Sequence, residues 1–485
     1  MPHLIGIDVQ ECRTGLVHES VRWEVIASTL ATLGLPTAIA GLYLDGVKVR
    51  MSSIPETVIK DWAATVVSKV EPVAFLSSAS TGPEWQALRA IGRSLHRLYP
   101  GVPLWTYGPH AARTEDGPEW HRLGDDPFLY LSRIYSWLKT GQSEDIGAMY
   151  SQALLDTFGP DHIIGASWTS DGCPCSCSFC LPRTFAPHRW SARAYPIVFE
   201  EVRRRAQAGY SFVRLIDLNI TGGGIARFLD LCTRLQSDFP DIHFWCDASA
   251  EMLLKAPLSE LAGLPRRPWT VQLGLEAIDR RSRSELERPA LPIEWRDRLA
   301  GLPEDTAVRL SMITFFPWST PRDIAEVIEF ALTFPHLLPP DTLFRRLRLY
   351  EGLPITNRLR QLSPTIPTDT FEIPFYPEEQ ERLNPSYFHD SQLGERASLW
   401  FEENRHLLTL MRRVRGYRIV GESRHAFGKR LLQQSADELA RALALYSSDT
   451  HPVPEPDKSS SGSWDSEVYG PFESRPFTAV IAHGG

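Results

Sequence analysis

The chain has 485 residues, 43% of them hydrophobic and 23% charged, with a formal net charge of −8. That length implies two or three domains with buried cores, and the acidic balance argues against general nucleic-acid binding. No apolar run reaches the roughly 18 residues that would mark a membrane span, and the opening MPHLIGIDVQE lacks the basic and apolar regions of a secretory signal. The expectation is a cytoplasmic protein with reduced thiols and neither nucleic acid nor membrane as partner. Three arginine clusters, at 203–205, 345–348 and 412–415, read as solvated helix faces or strand ends. Fourteen tryptophans suggest sites that bury large flat groups.

The first 135 residues alternate strand-like and helix-like segments. Leu4–Val9, Thr37–Tyr43, Val73–Ser78 and Pro103–Tyr107 read as strands. Glu19–Leu33, Pro55–Val70 and Glu84–Tyr99 read as the helices between them. That alternation predicts a doubly wound, Rossmann-like parallel sheet. Such sheets bind ligands beyond the carboxyl ends of their strands. The loops there are 10–15, 77–82 and Gly108-Pro109-His110-Ala111. Ser77 and Ser78 put small hydroxyls at a strand end, and Gly108 permits close approach of a ligand.

A helical connector, Pro127–Phe158, leads to a strand at Ile163–Thr169 and then to Ser170-Asp171-Gly172-Cys173-Pro174-Cys175-Ser176-Cys177-Ser178-Phe179-Cys180. Four of the seven cysteines lie in this run. Neighbours so close cannot form unstrained disulfides, whereas thiolates gathered on one loop hold a metal or an iron–sulfur cluster. Cys173, Cys177 and Cys180 give Cys-x3-Cys-x2-Cys, which leaves one iron of a [4Fe–4S] cluster open. A zinc knuckle and a two-cluster ferredoxin are the competing readings. Zinc would want a second Cys/His pair about 12–20 residues away, and downstream come only His188, Cys232 and Cys246. Cys175 is surplus and is expected to point away from the iron.

Further strands follow at Phe212–Asp217, His243–Asp247, Thr270–Ala277, Arg309–Phe316 and Leu347–Pro354, with helices at Arg193–Ala208, Phe228–Leu235 and Asp323–Thr333. Asp217 and Asn219 stand at the end of one strand, and Gly274 and Glu276 at the end of another. Gly222-Gly223-Gly224 reads as a flexible turn. Residues 375–447 are helical and amphipathic at Leu399–Val414 and Lys429–Tyr446, with Tyr376, Tyr387, Trp400 and Phe401 as pocket or core aromatics. From Ser447 the composition turns to Pro, Ser, Gly and acids, which predicts disorder.

The cysteine spacing, with aromatic Phe179 before the last ligand, resembles the radical S-adenosylmethionine (SAM) superfamily. The resemblance implies an α/β chain whose (β/α)6 partial TIM barrel carries the cluster loop after its first strand. Cys173, Cys177 and Cys180 would hold the cluster, and the open iron would chelate SAM. Phe179, Asp217, Asn219, Gly274, Glu276 and Ser311 would line the SAM site. One electron from the cluster then splits SAM into methionine and a 5'-deoxyadenosyl radical. The strand ending in Gly-Pro-His-Ala before Glu115-Asp116 resembles the cobalamin-binding domain that precedes many such modules. Ser77, Ser78, Gly108, Pro109 and His110 would face the cobalamin, and the cobalt-ligating Asp-x-His-x-x-Gly is absent.

The organisation implied is a cobalamin-binding-like domain over 1–135, a connector over 136–160, the barrel over 161–374, a helical cap over 375–447 and a tail over 448–485. The function implied is a cobalamin-dependent radical SAM methyltransferase, acting on an unactivated carbon of a specialised metabolite or peptide. A flavodoxin- or ferredoxin-type protein would be the reductant. The alternatives are ring formation, ring contraction or rearrangement without methyl transfer, and a non-catalytic iron–sulfur or zinc protein.

Overall fold

The computed structural model describes residues 3–11, 17–18, 37–44, 54–78, 82–107, 120–122, 145–180, 189–261, 263–266, 269–303, 305–350, 352–368, 383–408, 422–443 and 477–483. The segment expected as a helix at 19–33, most of the connector, Gly108–His110 and Tyr376 lie outside them.

The N-terminal strands are β1 (His3–Glu11), β2 (Val17–His18), β3 (Thr37–Leu44), β4 (Pro72–Ser78), β5 (Leu104–Tyr107) and β6 (His121–Arg122). All but β2 join one sheet, in the order β3-β1-β4-β5-β6, and each of these neighbours runs parallel. Parallel strands buried on both faces need near-continuous apolar runs, and Ile5, Ile7, Ile39, Leu42 and Phe75 supply them. The helices at Glu56–Val67 and Gly82–Leu98 cover one face. Trp62 and Trp120 are buried there, and their indole N–H groups donate to the carbonyls of Gly41 (3.1 Å) and Leu88 (2.8 Å). The strand order reverses at β1, so the crevice for a ligand lies between the carboxyl ends of β1 and β4.

The second sheet comprises β7 (Ile163–Trp168), β10 (Phe212–Ile216), β11 (His243–Ser249), β12 (Thr270–Glu276) and β13 (Val308–Met312), in the order β13-β12-β11-β10-β7-β2. The strands from β7 to β13 are parallel, which is the start of a barrel. A small hairpin, β8 (Ser170–Asp171) with β9 (Ser191–Ala192), sits beyond β7. Helices alternate with the strands at Tyr195–Gln207, Ile225–Asp238 and Pro321–Thr333. The last begins at a capping box in which Thr320 and Asp323 satisfy each other's backbone N–H groups.

Three expectations need correction. The sixth barrel strand at Leu347–Pro354 is not formed. In its place are isolated bridge residues, among them Arg346 paired parallel with Phe315, with Leu347 N donating to Phe315 O at 2.9 Å. The chain then turns at Gly352, whose φ is +82°, and Pro354 opens a helix to Leu362. The edge position at the other side is filled by β2, borrowed from the N-terminal segment and paired with β7 at Ile163 and Ile164.

Second, the tail expected to be disordered carries a strand. β14 (Phe477–His483) pairs antiparallel with β3 along its length and buries Val480. Third, the first two glycines of the triplet are packed rather than loose. Residues Ile220–Gly223 form a 3-10 turn, and a Cβ on Gly222 would lie 2.2 Å from the Trp190 ring. Of the two readings for Tyr387, Trp400 and Phe401 the core one holds: they are buried with Phe315, Phe344 and Phe388. The cap helices run Ser391–Glu403 and Glu422–Ala442.

A third apolar cluster joins the two sheets. It unites Leu4, Ile39, Tyr43, Leu76 and Val480 with Leu154, Leu155 and Phe158 of the helix Asp145–Phe158, and with Ile163 and Tyr210 of the barrel.

Candidate active site

The cysteine loop leaves the carboxyl end of β7 and is anchored at its root and its tip. At the root, the Thr169 and Ser170 hydroxyls both donate to the Asp217 carboxylate at the end of β10. Asp217 is buried, and removal from water pushes its pKa up to about 7 against those two hydrogen bonds. At the tip, Ser178 N donates to Leu286 O (3.0 Å) and Ser178 Oγ to Glu285 O (2.9 Å). Ile355 N donates to Ser178 O (3.2 Å). Phe179 packs half-buried against the barrel core.

The six described cysteines are free thiols. Cys175 does not point away: its thiol sits between Cys173 and Cys177. A hydrogen bond from Cys175 brings Cys173 down to about 7 and Cys177 to about 6, in both cases against burial. The Cys175 thiol itself is pushed up, because it is the donor to both neighbours. Cys180 N donates to Cys177 O (3.3 Å), which closes the turn between these two residues. Among the described residues no group of three or more His, Cys, Asp or Glu is arranged to hold a single metal ion. A four-iron cluster spreads its thiolates wider than one ion does, and thiols already biased towards thiolate suit it.

Asn219 ties this loop to the next strands. Its side-chain N–H2 reaches Met252 Sδ (3.4 Å) and Cys175 Sγ (3.9 Å). Its Oδ1 accepts from Thr221 Oγ1 (2.7 Å) and Ser249 N (3.2 Å). Trp190 Nε1 donates to its carbonyl at 3.0 Å, which is what the close-packed Gly222–Gly223 pair makes room for.

The end of β12 is irregular. The pairing with β13 shifts register between Gly274 and Glu276, and Glu276 has φ of +62°, a left-handed conformation unusual for a residue with a Cβ. The Glu276 side chain folds back over Gly274, where a Cβ would lie 2.8 Å from Oε1. Burial raises the Glu276 carboxyl to about 7, opposed by the charges of Arg288 and Arg345. Ser311 stands beside Gly274 in register and accepts from Arg345 Nη1 (3.2 Å), while Arg345 pairs with Asp341 (3.3 Å).

A buried charge network underlies these strand ends, and nothing in the sequence pointed to it. Glu251, in the short helix after β11, accepts from Ser249 Oγ (2.6 Å), Arg283 and Arg288. Arg283 also donates to the carbonyls of Leu275 (2.9 Å) and Ala277 (2.8 Å). Arg288 donates to Gly274 O and places Nη1 3.3 Å from Cys177 Sγ. The structure thus brings the cysteine loop, Asp217, Asn219, Gly274, Glu276 and Ser311 to one end of the barrel sheet.

The other expected positions fare differently. Ser77 is buried, and its hydroxyl donates to Ile7 O at 3.3 Å. Ser78 is the last residue of β4, paired with Tyr107. Beside Ser77, Thr106 Oγ1 is buried with no hydrogen-bond partner among the described residues. On β1, Asp8 accepts from Tyr43 Oη (3.0 Å) and Gln10 Nε2 (3.0 Å) near the same strand ends.

No known family model matches the sequence, and no curated protein sequence matches it. Solved structures do match in shape. The radical SAM methyltransferase TsrM from Kitasatospora setae, with cobalamin and a [4Fe–4S] cluster bound, aligns at 14% identity with a TM-score of 0.50, over 76% of each chain. The cobalamin-dependent SAM radical enzyme OxsB aligns at 12% identity with a TM-score of 0.59, over 90% of this chain and 72% of that one. This chain has the fold of the cobalamin-dependent radical SAM enzymes. A second TsrM structure, with tryptophan substrate and a SAM analogue bound, aligns equally well, at a TM-score of 0.50 and 13% identity. Among the described residues no helix is long and apolar enough to cross a membrane.

Proposed function

We propose that this chain is a cobalamin-dependent radical SAM enzyme, and that it methylates an unactivated carbon of a specialised metabolite or peptide. The observation that carries this is the Cys173-x3-Cys177-x2-Cys180 loop beside Gly274 and Glu276 at one end of a parallel barrel sheet, in a chain with this fold. Cys173, Cys177 and Cys180 would be the iron ligands, and Cys175, a donor to two of them, would not. Bound there, the cluster supplies the electron that cleaves SAM, and the cobalamin supplies a methyl carrier.

The chain's own residues orient and shield. Gly274 leaves room for the Glu276 side chain, and the Glu276 carboxylate, without a hydrogen bond among the described residues, would be offered to a polar group of SAM. Asp217 and Asn219 hold the loop to β10 and β11, Ser311 lines the opposite strand, and Phe179 backs the loop. On the N-terminal sheet, Ser77, Ser78, Gly108, Pro109 and His110 would face the cobalamin. The unpartnered Thr106 hydroxyl at these strand ends supports a ligand there. A flavodoxin- or ferredoxin-type protein would deliver the electron.

The test is anaerobic reconstitution of the full chain with iron, sulfide, SAM and cobalamin. The expected result is cobalamin retained through gel filtration and identified by mass, with 5'-deoxyadenosine or S-adenosylhomocysteine formed. Formation of neither product overturns the enzyme reading, and a cluster that survives Cys177→Ala overturns the ligand assignment. A second reading keeps the radical and omits the methyl transfer: ring formation, contraction or rearrangement. A product heavier by one methylene decides for methylation.

A further inference from the structure

We propose that Arg288 is a positioning residue for the iron–sulfur cluster: its guanidinium, held by Glu251, hydrogen-bonds the Cys177 sulfur and raises the cluster's reduction potential. This rests on the proposed function, since it presumes that Cys177 is an iron ligand.

Arg288 comes to the sulfur through the way its helix ends. The helix Arg280–Glu285 closes with Leu286 N donating to Ser282 O (2.9 Å), Glu287 N to Ser284 O (3.0 Å) and Arg288 N to Arg283 O (2.8 Å). Glu287 has φ of +54°, the left-handed conformation that turns a chain back at a helix end. That turn sends Arg288 under the strand ends rather than into solvent, and its side chain is 8% exposed. The rest of the guanidinium is spoken for. Nη2 donates to Glu251 Oε2 (2.8 Å) and to Gly274 O, and Nε faces Glu251 Oε1 at 2.7 Å. Nη1 is left to the sulfur, at 3.3 Å.

The charge balance gives the effect its sign. Glu251 is shared by two guanidiniums, those of Arg283 and Arg288. The Glu251 and Glu276 carboxylates offset part of this charge, but the charged group in contact with the Cys177 sulfur is the Arg288 guanidinium, so it is the cation that faces Cys177. Reduction adds an electron to the cluster, and both a nearby cation and an N–H donor to a ligand sulfur favour the more negative state. A guanidinium keeps its proton throughout the working pH range, so this influence does not titrate away. Its planar fork also explains why arginine is used: one side grips the carboxylate and the backbone carbonyl while the other reaches the sulfur.

The experiment uses the full chain, reconstituted anaerobically with ferrous iron and sulfide, and a potentiometric titration followed by electron paramagnetic resonance. At the potential where half of the unmodified protein's cluster is reduced, Arg288→Met should show a reduced-to-oxidised ratio lower by about tenfold. That ratio corresponds to a midpoint lower by about 59 mV for one electron. Arg288→Lys keeps the charge without the fork, and its midpoint should fall between the two. A second readout needs no substitution: in protein labelled with 15N-arginine, pulsed measurements on the reduced cluster should detect a coupled arginine nitrogen. An unshifted midpoint in Arg288→Met with an intact cluster overturns the proposal. If Arg288→Met assembles no cluster, an unshifted Arg288→Lys together with no nitrogen coupling overturns it instead. If the unmodified chain assembles no [4Fe–4S] cluster, it is the proposed function that fails.

Discussion

Replacing Glu251 by alanine should destabilise the barrel more than any other single change at the strand ends. The carboxylate is 2% exposed, and the two guanidiniums on it are 5% and 8% exposed. Removing one partner of a buried ion pair leaves uncompensated charge out of water, at a cost of about 3–5 kcal/mol. Two considerations set where in that range the loss falls. Arg283 keeps the carbonyls of Leu275, Ala277 and Pro289, and Arg288 keeps Gly274 O, so neither cation is stripped bare. Against this, the Ser249 hydroxyl also loses its acceptor, which adds about 1 kcal/mol. About 3–4 kcal/mol is therefore expected. At roughly 2–4 °C per kcal/mol for a domain of this size, the barrel's melting transition should fall by about 6 °C or more. Glu251→Gln keeps the shape and one acceptor and should lose about 1–3 kcal/mol. Differential scanning calorimetry gives the transition, and hydrogen exchange of the peptides around 249–254 and 283–289 shows whether the loss is local to this network. Calorimetry and exchange that do not distinguish Glu251→Ala from the unmodified chain would refute the reasoning, since a buried dication without its counter-charge must cost something.

Three further outcomes are expected. Gly222→Ala forces a Cβ to within 2.2 Å of Trp190 and should cost about 1–3 kcal/mol, whereas Gly101→Ala, with nothing within 4 Å, should melt unchanged. Asp217 has a folded pKa of about 7 against 3.8 when free, so the stability it contributes is complete below about pH 4 and is lost as pH rises through 7. The melting advantage of the unmodified chain over Asp217→Asn should accordingly shrink between about pH 4 and 7, by up to about 1.4 kcal/mol for each pH unit crossed; a constant difference would contradict the burial argument. Deleting residues 477–483 uncovers the β3 edge and the site of Val480. The truncated chain should self-associate on gel filtration and lose protease resistance in the N-terminal sheet.

What was legible in the sequence was what local pattern encodes. Apolar runs such as Ile163–Trp168 and Thr270–Leu275 marked the parallel strands, and the cysteine spacing marked the loop. Gly274 and Glu276 were singled out because Gly-x-Glu at a strand end resembles the radical SAM pattern. The Glu251 network was not, because Arg283 and Arg288 lie 32 and 37 residues from their carboxylate, and no local period relates them. β14 was hidden by composition: seven strand-forming residues follow a long stretch rich in Pro, Ser and acids, and their partner β3 is at the other end of the chain. The missing sixth strand failed for the opposite reason. Leu347–Tyr350 has strand-like residues, but backbone pairing to Thr314 and Phe315 is confined to Arg345–Leu347 before Gly352 turns the chain away. For Cys175, spacing alone gives no face, and only the folded loop turns its thiol inward.

The places where local rules break are not scattered. Glu276 takes a left-handed φ without being glycine, the β12–β13 ladder slips at the same point, and the half-buried Glu276 carboxylate makes no hydrogen bond among the described residues. Within a few residues Glu287 repeats the left-handed turn, and two arginines are buried on one carboxylate. Each departure costs on the order of 1–3 kcal/mol. Elsewhere β12 obeys every rule for a buried parallel strand, with alternate residues inside and regular pairing to β11. A strand that is regular until its carboxyl end and then departs from local preference in several ways at once is under a constraint other than folding. The cysteine loop meets the same strand end through Arg288, which is where the proposed site would impose such a constraint.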